Sequence, residues 1–475
     1  MRLGDLLVAA KLVSPAQVAE ALSRQLSTGR RLGEILVNSG ALTQSALDGF
    51  LHRVPREPAR LADTRIDEQV LLALMLKLIH QGRLETVPQI AEGLRLPQHV
   101  TAELVVMATG RRLLRSLGER DRVMVYALTE EGVRTAVEAF QQSQYVGPAP
   151  VSLDAFTELV ELQKLNNVIV TPDKIRAAFT SLEVSERFIE KIGPALNSDR
   201  AMLMYGPPGN GKTSIARCFA SIFDDLIWVP HAVLISGQIM RVYDPSVHIS
   251  PRAQTSSRKA ADASIFRPEQ SDSRWLPCLR PFIVTGGELT LEMLDLQYNA
   301  IANFYEAPLH VKASGGCFIV DDFGRQLIEP TILLNRWIVP MENRVDYLKL
   351  HTGKSFTIRF EALLVFSTNL EPEDLMDPAF LRRLPYKLEV GTPSREAFRR
   401  IFNKVCAEHS LEVDDAAFDE VVRKITEDKK LDLAAYMPKF IVDQLIATCR
   451  FLGQAPHFDA RFIDYAIDNL RVNRK

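Results

Sequence analysis

Cysteine is scarce and scattered in this chain. Cys218, Cys278, Cys317, Cys406 and Cys449 form no C-x-x-C pair and have no histidine at ligand spacing. That pattern spells neither a disulfide framework nor a cysteine-histidine metal site, and it predicts free thiols in a reducing compartment. Charge of one sign is also missing: 57 Lys and Arg against 59 Asp and Glu leave a formal net charge of -2. No global pull toward nucleic acid or membrane follows, so any such partner must be met by a local patch. Long apolar runs are absent too. The best candidate, VLLALMLKLI from Val70 to Ile79, is interrupted by Lys77 and is too short to span a bilayer. No apolar signal-like segment opens the sequence, so a cytoplasmic protein without a membrane span is expected. The 475 residues are 47% hydrophobic, enough for about three domains with a core each.

The chain is organised around MLMYGPPGNGKTS, from Met202 to Ser214, where an apolar run feeds a glycine-rich turn that opens a helix, SIARCFASIF. The spacing G-x-x-x-x-G-K-[ST] is that of a phosphate cradle. Gly206, Gly209 and Gly211 let the backbone curl through Pro207, Pro208 and Asn210, so that successive N–H groups and the helix N-terminus at Ser214 face an anion. Lys212 is then expected on the β and γ phosphates of ATP, and Thr213 on Mg²⁺. Downstream, FIVDD (Phe318 to Asp322) reads as a buried parallel strand ending in two carboxylates, with Asp321 as the Mg²⁺ partner. EALLVFSTN (Glu361 to Asn369) reads as another buried strand, ending where Asn369 would hold the attacking water.

GPPGNGKT, FIVDD, FSTN and DPAFLRRL, in that order, resemble an AAA+ ATPase over residues 155 to 475. The resemblance implies an α/β nucleotide-binding domain at 153–390 and a helical lid at 391–475. It implies that Asp322 is the general base, standing where most relatives have the longer glutamate. It also implies that Arg382 and Arg383 are arginine fingers offered to the nucleotide of the next subunit, hence a homo-oligomeric ring, a hexamer. Lys439, in MPKFIVDQL, stands where many relatives carry a second-sensor arginine. The stretch between the cradle and FIVDD is unusually long and includes a polar segment from Ser250 to Arg274, which predicts an inserted hairpin or loop. No pore loop is evident there, and Phe304 and Tyr305 in NFYEAP are read as core.

Toward the N-terminus, residues 2 to 25 and 31 to 54 repeat at an offset of 29, each with R-L-G, an apolar run, an N-cap at Ser14 or Thr43, and a helix. The repeat resembles the MshEN domain of type II secretion ATPases, assigned here to residues 1–55. That resemblance implies binding of cyclic di-GMP through Arg2, Leu3, Gly4, Gln25, Arg31, Leu32 and Gly33. Lys11, where the second copy has the turn glycine Gly40, and Val54, in place of a final glutamine, depart from the pattern. The alternative is a docking module that keeps the repeat for packing alone. Residues 67–142, set between linkers at 55–66 and 144–152, predict three helices, the first stopped by Gly82, then two strands around ERDR and a last helix, an order that resembles a winged helix-turn-helix. Arg111, Arg112, Arg115, Arg120 and Arg122 cluster at the wing, diluted by Glu119 and Asp121. A solvated or protein-docking face is favoured there over nucleic acid. The leading expectation is a regulated ATP hydrolase acting on an unidentified protein partner. The alternative is an ATP-switched DNA-binding transcription regulator.

Overall fold

Each copy of the N-terminal repeat folds as a helix pair. In the computed structural model, which describes residues 3–28, 30–251 and 271–470, α1 (Leu3–Ala9) and α2 (Pro15–Thr28) are followed by α3 (Leu32–Asn38) and α4 (Gln44–Arg53). Leu3-Gly4 and Leu32-Gly33 are thus themselves helical, opening α1 and α3, with Arg31 extended at the N-cap of α3. Their glycines serve close packing: a Cβ on Gly4 would lie 2.7 Å from Val18 Cγ1, and one on Gly33 2.8 Å from Leu47 Cδ2. Lys11 adopts the same left-handed turn as Gly40, with φ of 55° against 73°. The missing glycine therefore leaves the turn intact, at a cost of roughly 1 kcal/mol.

Three helices follow, α5 (Glu68–Gly82), α6 (Val87–Leu94) and α7 (Gln98–Gly110), then the hairpin β1 (Leu114–Arg120) and β2 (Val123–Leu128) and α8 (Glu130–Gln142). α5 ends at Gly82, as expected, and the left-handed cap falls on Arg83, with φ of 49°. The hairpin turn is Asp121–Arg122 alone, both at positive φ as a type I′ turn requires, so Glu119 and Arg120 belong to the strand. Lys77, which breaks the apolar run of α5, is buried and donates to the carbonyls of Ser143 and Tyr145, each at 2.8 Å. Burial pushes its ammonium down to about 8.

The two expected linkers are built into the fold. Leu61 and Ile66 are buried, and the Asp272 N–H donates to Pro55 O at 2.9 Å. Tyr145, Ala149 and Val151 are buried as well, and β3 (Val151–Ser152) joins a sheet. Proline here sets extended backbone that other segments then cover. After α9 (Leu153–Leu162), α10 (Pro172–Ala178) and α11 (Glu186–Ser198) come β4 (Met202–Tyr205) and the P-loop helix α12 (Lys212–Ile222).

The long segment before FIVDD is no simple hairpin. It supplies β5 (Leu226–Pro230), β6 (Ala232–Ile235), β7 (Gln238–Arg241), β8 (Trp275–Leu279), β9 (Phe282–Thr285), β10 (Gln297–Asn299), β11 (Phe304–Glu306) and α13 (Leu309–Lys312). A second, mixed sheet results, in the order β10-β11-β7-β6-β3, beside an antiparallel pair of β5 and β8. Tyr305 is buried in it. The apolar residues of the repeat module and of the second sheet share one core, in which Leu7, Leu36 and Phe50 belong with Trp228, Met240 and Tyr305. Of the polar segment Ser250 to Arg274, residues 252–270 lie outside the described residues.

The remaining strands complete the sheet that carries the site: β12 (Cys317–Val320), then α14 (Pro330–Asn343), the hairpin β13 (Val345–Lys349) and β14 (Ser355–Arg359), β15 (Leu363–Thr368), α15 (Pro372–Leu375), α16 (Pro378–Leu381) and β16 (Tyr386–Glu389). The order β16-β4-β15-β12-β9 is parallel throughout. Met202, Met204, Ile319 and Val365 face one core, and Leu203, Phe318, Leu364 and Phe366 the other. Burial on both faces is what lets these strands read as continuous apolar runs. Four helices, α17 (Arg395–Glu408), α18 (Asp415–Arg423), α19 (Met437–Phe451) and α20 (Ala460–Asp468), then form a separate core around Phe398, Phe402 and Leu445. Among the described residues the five cysteines are free and no helix is long and apolar enough to cross a membrane.

Candidate active site

The carboxyl ends of β4, β12 and β15, adjacent in one parallel sheet, bring the motif residues together, as expected where loops leave the strands of such a sheet. Gly206, Gly209 and Gly211 all have positive φ, of 133°, 78° and 86°. Gly206 also has no room for a side chain, since a Cβ there would lie 2.5 Å from Val390 O on the segment after β16. Pro207, Pro208 and Ser214 are exposed, and the backbone N–H groups from Gly209 to Ser214 are engaged by no acceptor among the described residues. Unengaged donors at the start of an eleven-residue helix are a geometry that suits an anion.

Lys212 is buried and folds back over the loop, donating to Gly206 O at 2.8 Å, to Pro207 O at 3.0 Å and to Asn369 Oδ1. Burial pushes its ammonium below the usual lysine value, while Asp321 and Asp322 oppose that shift. Thr213 Oγ1 donates to Asp321 Oδ2 at 2.7 Å, which juxtaposes the two oxygens expected to share a cation. Asp322 accepts from Asn369 Nδ2 at 3.2 Å, so Lys212, Asn369 and Asp322 form one chain of contacts across three motifs.

Local backbone geometry sets Asp322 apart from Asp321. Asp322 sits at φ of 48°, and its N–H donates to Asp321 Oδ1 at 3.1 Å. The turn is tied to β15 by Phe323 N–H to Ser367 O at 2.7 Å and by Thr368 Oγ1 to Phe323 O at 2.8 Å. Gln326 donates to Asp321 O at 3.0 Å from the other side. Such a turn holds a non-glycine residue in left-handed backbone only because its surroundings over-determine it.

The expected arginine pair is divided. Arg383 donates to Glu342 at 2.6 Å and to Ala379 O at 2.9 Å within its own chain, whereas Arg382 is exposed with no side-chain partner among the described residues. Lys439 is not brought to the site either: its side chain is 65% exposed and pairs with Asp443 one turn along α19, at 3.3 Å. What the C-terminal helical unit places on the glycine-rich loop instead is the turn before α19. Tyr436 N–H donates to Gly209 O and Ala435 N–H to Asn210 Oδ1, each at 3.0 Å. Nothing local marks this contact in the sequence, because its two sides lie 225 positions apart.

In the repeat module Arg31 is exposed at the N-cap of α3, Leu32 and Gly33 are buried, Leu3 is half-buried, and Gln25 Nε2 donates to Arg30 O at 3.1 Å. Arg2 lies outside the described residues. Val18 and Leu47 fill the space where a Cβ on Gly4 or Gly33 would stand, so close helix packing by itself accounts for glycine at both positions. Lys11 reaches Asp224 at 2.6 Å and Arg53 reaches Asp225 at 3.6 Å, just past the end of the P-loop helix.

A family model described as a domain of unknown function (DUF8689) matches residues 394–469. No curated protein matches. Among solved structures the chain is similar to the Thermotoga maritima RuvB Holliday junction branch migration motor, with 14% identity over 61% of this chain and 70% of that one and a TM-score of 0.33. A variant of the same protein gives 13%, 62%, 72% and 0.37, and the FIGL-1 AAA domain 13%, 58%, 72% and 0.29. Superpositions at these scores specify neither activity nor assembly.

Proposed function

We propose that the chain is an AAA+-type ATPase that hydrolyses ATP with Mg²⁺. The observation that carries the reading is the convergence of Lys212, Thr213, Asp321, Asp322 and Asn369 from three separate motifs onto one edge of the parallel sheet. The donor set fits: unengaged N–H groups and one ammonium for phosphates, and a hydroxyl and a carboxylate 2.7 Å apart for a hard cation. Thr213 and Asp321 would hold Mg²⁺, which when bound offsets the charge on the transferring phosphoryl. Lys212 and the P-loop N–H groups orient the β and γ phosphates. Asn369 orients a water against the γ phosphorus. Asp322 takes that water's proton as the new P–O bond forms and the bond to the leaving ADP oxygen breaks.

Aspartate in place of the longer glutamate sets the base back by one methylene, so turnover is slow. Replacing Asp322 with asparagine retains bound ATP and reduces phosphate release at least about 100-fold, at the lower end of what positioned general-base catalysis supplies. Nucleotide retention on a desalting column with a phosphate assay on the same sample checks this. Normal hydrolysis by Asp322→Asn would place the base elsewhere.

The finer reading is a hexameric ring whose copies complete each other's sites with Arg382, governed by the N-terminal modules. Charged contacts to Asp224 and Asp225 and the core shared with the second sheet support docking as the repeat's role. Cyclic di-GMP as an effector rests on the repeat pattern and on exposed Arg31, which suits the acceptor edge of guanine. Calorimetric titration of the full chain is expected to show weak binding that Arg31→Ala abolishes. Absence of heat at high micromolar ligand would leave a docking module only. The wing arginines, from Arg111 to Arg122, are exposed and open to phosphate contacts, but exposed Glu119 and Asp121 lie among them, so protein remains the favoured partner over DNA.

A further inference from the structure

The lid meets the P-loop through atoms that the chemistry above leaves unused. Asn210 is buried, and its side chain turns from the phosphate side of the loop toward the lid, where Oδ1 accepts the Ala435 N–H at 3.0 Å while Nδ2 leans on Pro207 O at 3.4 Å. Next to it, Tyr436 N–H donates to Gly209 O at 3.0 Å, and the Tyr436 ring occupies the space a side chain at 209 would need, since a Cβ there would lie 2.3 Å from Tyr436 Cδ1. Phe440 backs the ring edge-on, with centroids 6.4 Å apart. Gly209 thus has two reasons to be glycine: its φ of 78° and the aromatic ring lying on it.

We propose that Asn210 and Tyr436 are positioning residues that latch the lid to the phosphate loop, so that the loop's backbone conformation sets the position of the lid. One anchor sits on an atom that moves with the loop's peptide planes: Gly209 O belongs to the same peptide unit as the Asn210 N–H, one of the donors offered to phosphate, while the other is the side chain that Asn210 itself carries. Reorienting that unit toward an anion reorients the carbonyl that holds Tyr436. The latch needs no charged side chain, consistent with Lys439 pointing into solvent. It rests on the ATPase reading, because the signal it carries is phosphate at the loop.

Amide hydrogen exchange on the full chain tests it, with steady-state ATPase kinetics alongside. In the wild type, ATP slows exchange in both the P-loop peptide and the peptide spanning 433–440. In Asn210→Ala the P-loop peptide is still slowed but 433–440 is not, and kcat falls roughly three- to tenfold with a smaller change in KM, the size expected for one hydrogen bond. Tyr436→Ala behaves alike, whereas Tyr436→Phe, which keeps the ring, retains wild-type protection and kcat. ATP-slowed exchange at 433–440 persisting in Asn210→Ala, or Tyr436→Phe failing as Tyr436→Ala does, overturns the latch. Failure of the ATPase reading looks different: the wild-type P-loop peptide itself is then not slowed by ATP. In that case the contact is judged on ligand-free protein, where Asn210→Ala must speed exchange at 433–440 for the latch to stand and equal exchange removes it.

Discussion

Replacing Lys212 with alanine lowers ATP hydrolysis at least about 100-fold, the loss typical when a preorganised charge donor is taken from a transition state. The cause is specific. Lys212 is the buried cation of the site, and it links the P-loop carbonyls to Asn369, which in turn holds Asp322. Its removal deletes the charge for the β and γ phosphates and frees Asn369 on one side. Folding should survive, because the surrounding sheet is held by apolar residues on both faces and not by this contact. Phosphate release and the thermal melt, measured on one preparation, check both statements. Hydrolysis near the wild-type rate in a folded Lys212→Ala protein would remove the site assignment.

Arg382→Ala is expected to cost about a thousandfold or more in turnover while leaving nucleotide binding nearly unchanged, the behaviour of an arginine supplied by a neighbouring copy. Its exposure, with no side-chain partner among the described residues, is what such a role requires, and the pairing of Arg383 with Glu342 is what it forbids. Mixing Lys212→Ala with Arg382→Ala protein restores part of the activity, because some interfaces then join an intact P-loop to an intact arginine. Arg383→Ala mixed in the same way gives no such rescue, since its defect lies within its own chain. Light scattering on the same mixtures establishes assembly. Assembled mixtures that stay inactive would make Arg382 a surface residue of the ordinary kind, worth little.

Much of the site was legible in the sequence because its parts are local: a glycine-rich turn between a strand and a helix, and two apolar runs that end in polar residues. Strand adjacency then does the rest, putting Thr213 beside Asp321 and Asn369 between Lys212 and Asp322. What was not legible depends on contacts between distant segments. Tyr436 on Gly209 has no local signature, and the apparent second sensor at Lys439 pairs along its own helix because Asp443 lies one turn away. Proline and glycine at 144–152 suggested a free linker, yet Tyr145 and Val151 are drawn into cores by neighbours that only the fold supplies. Likewise Gly4 and Gly33, which the resemblance assigned to ligand binding, are also where Val18 and Leu47 pack. Glycine marks a close approach, and the sequence does not say of what.

Phosphate release from ATP by the wild-type chain, with and without Mg²⁺, is the direct test of hydrolysis at this site, because the proposal gives Thr213 and Asp321 a shared cation to hold. Slow release over many turnovers is expected, stopping on chelation and resuming when Mg²⁺ is restored. Release that continues unchanged under chelation, or no release from folded protein with Mg²⁺ and ATP in excess, would contradict the proposal.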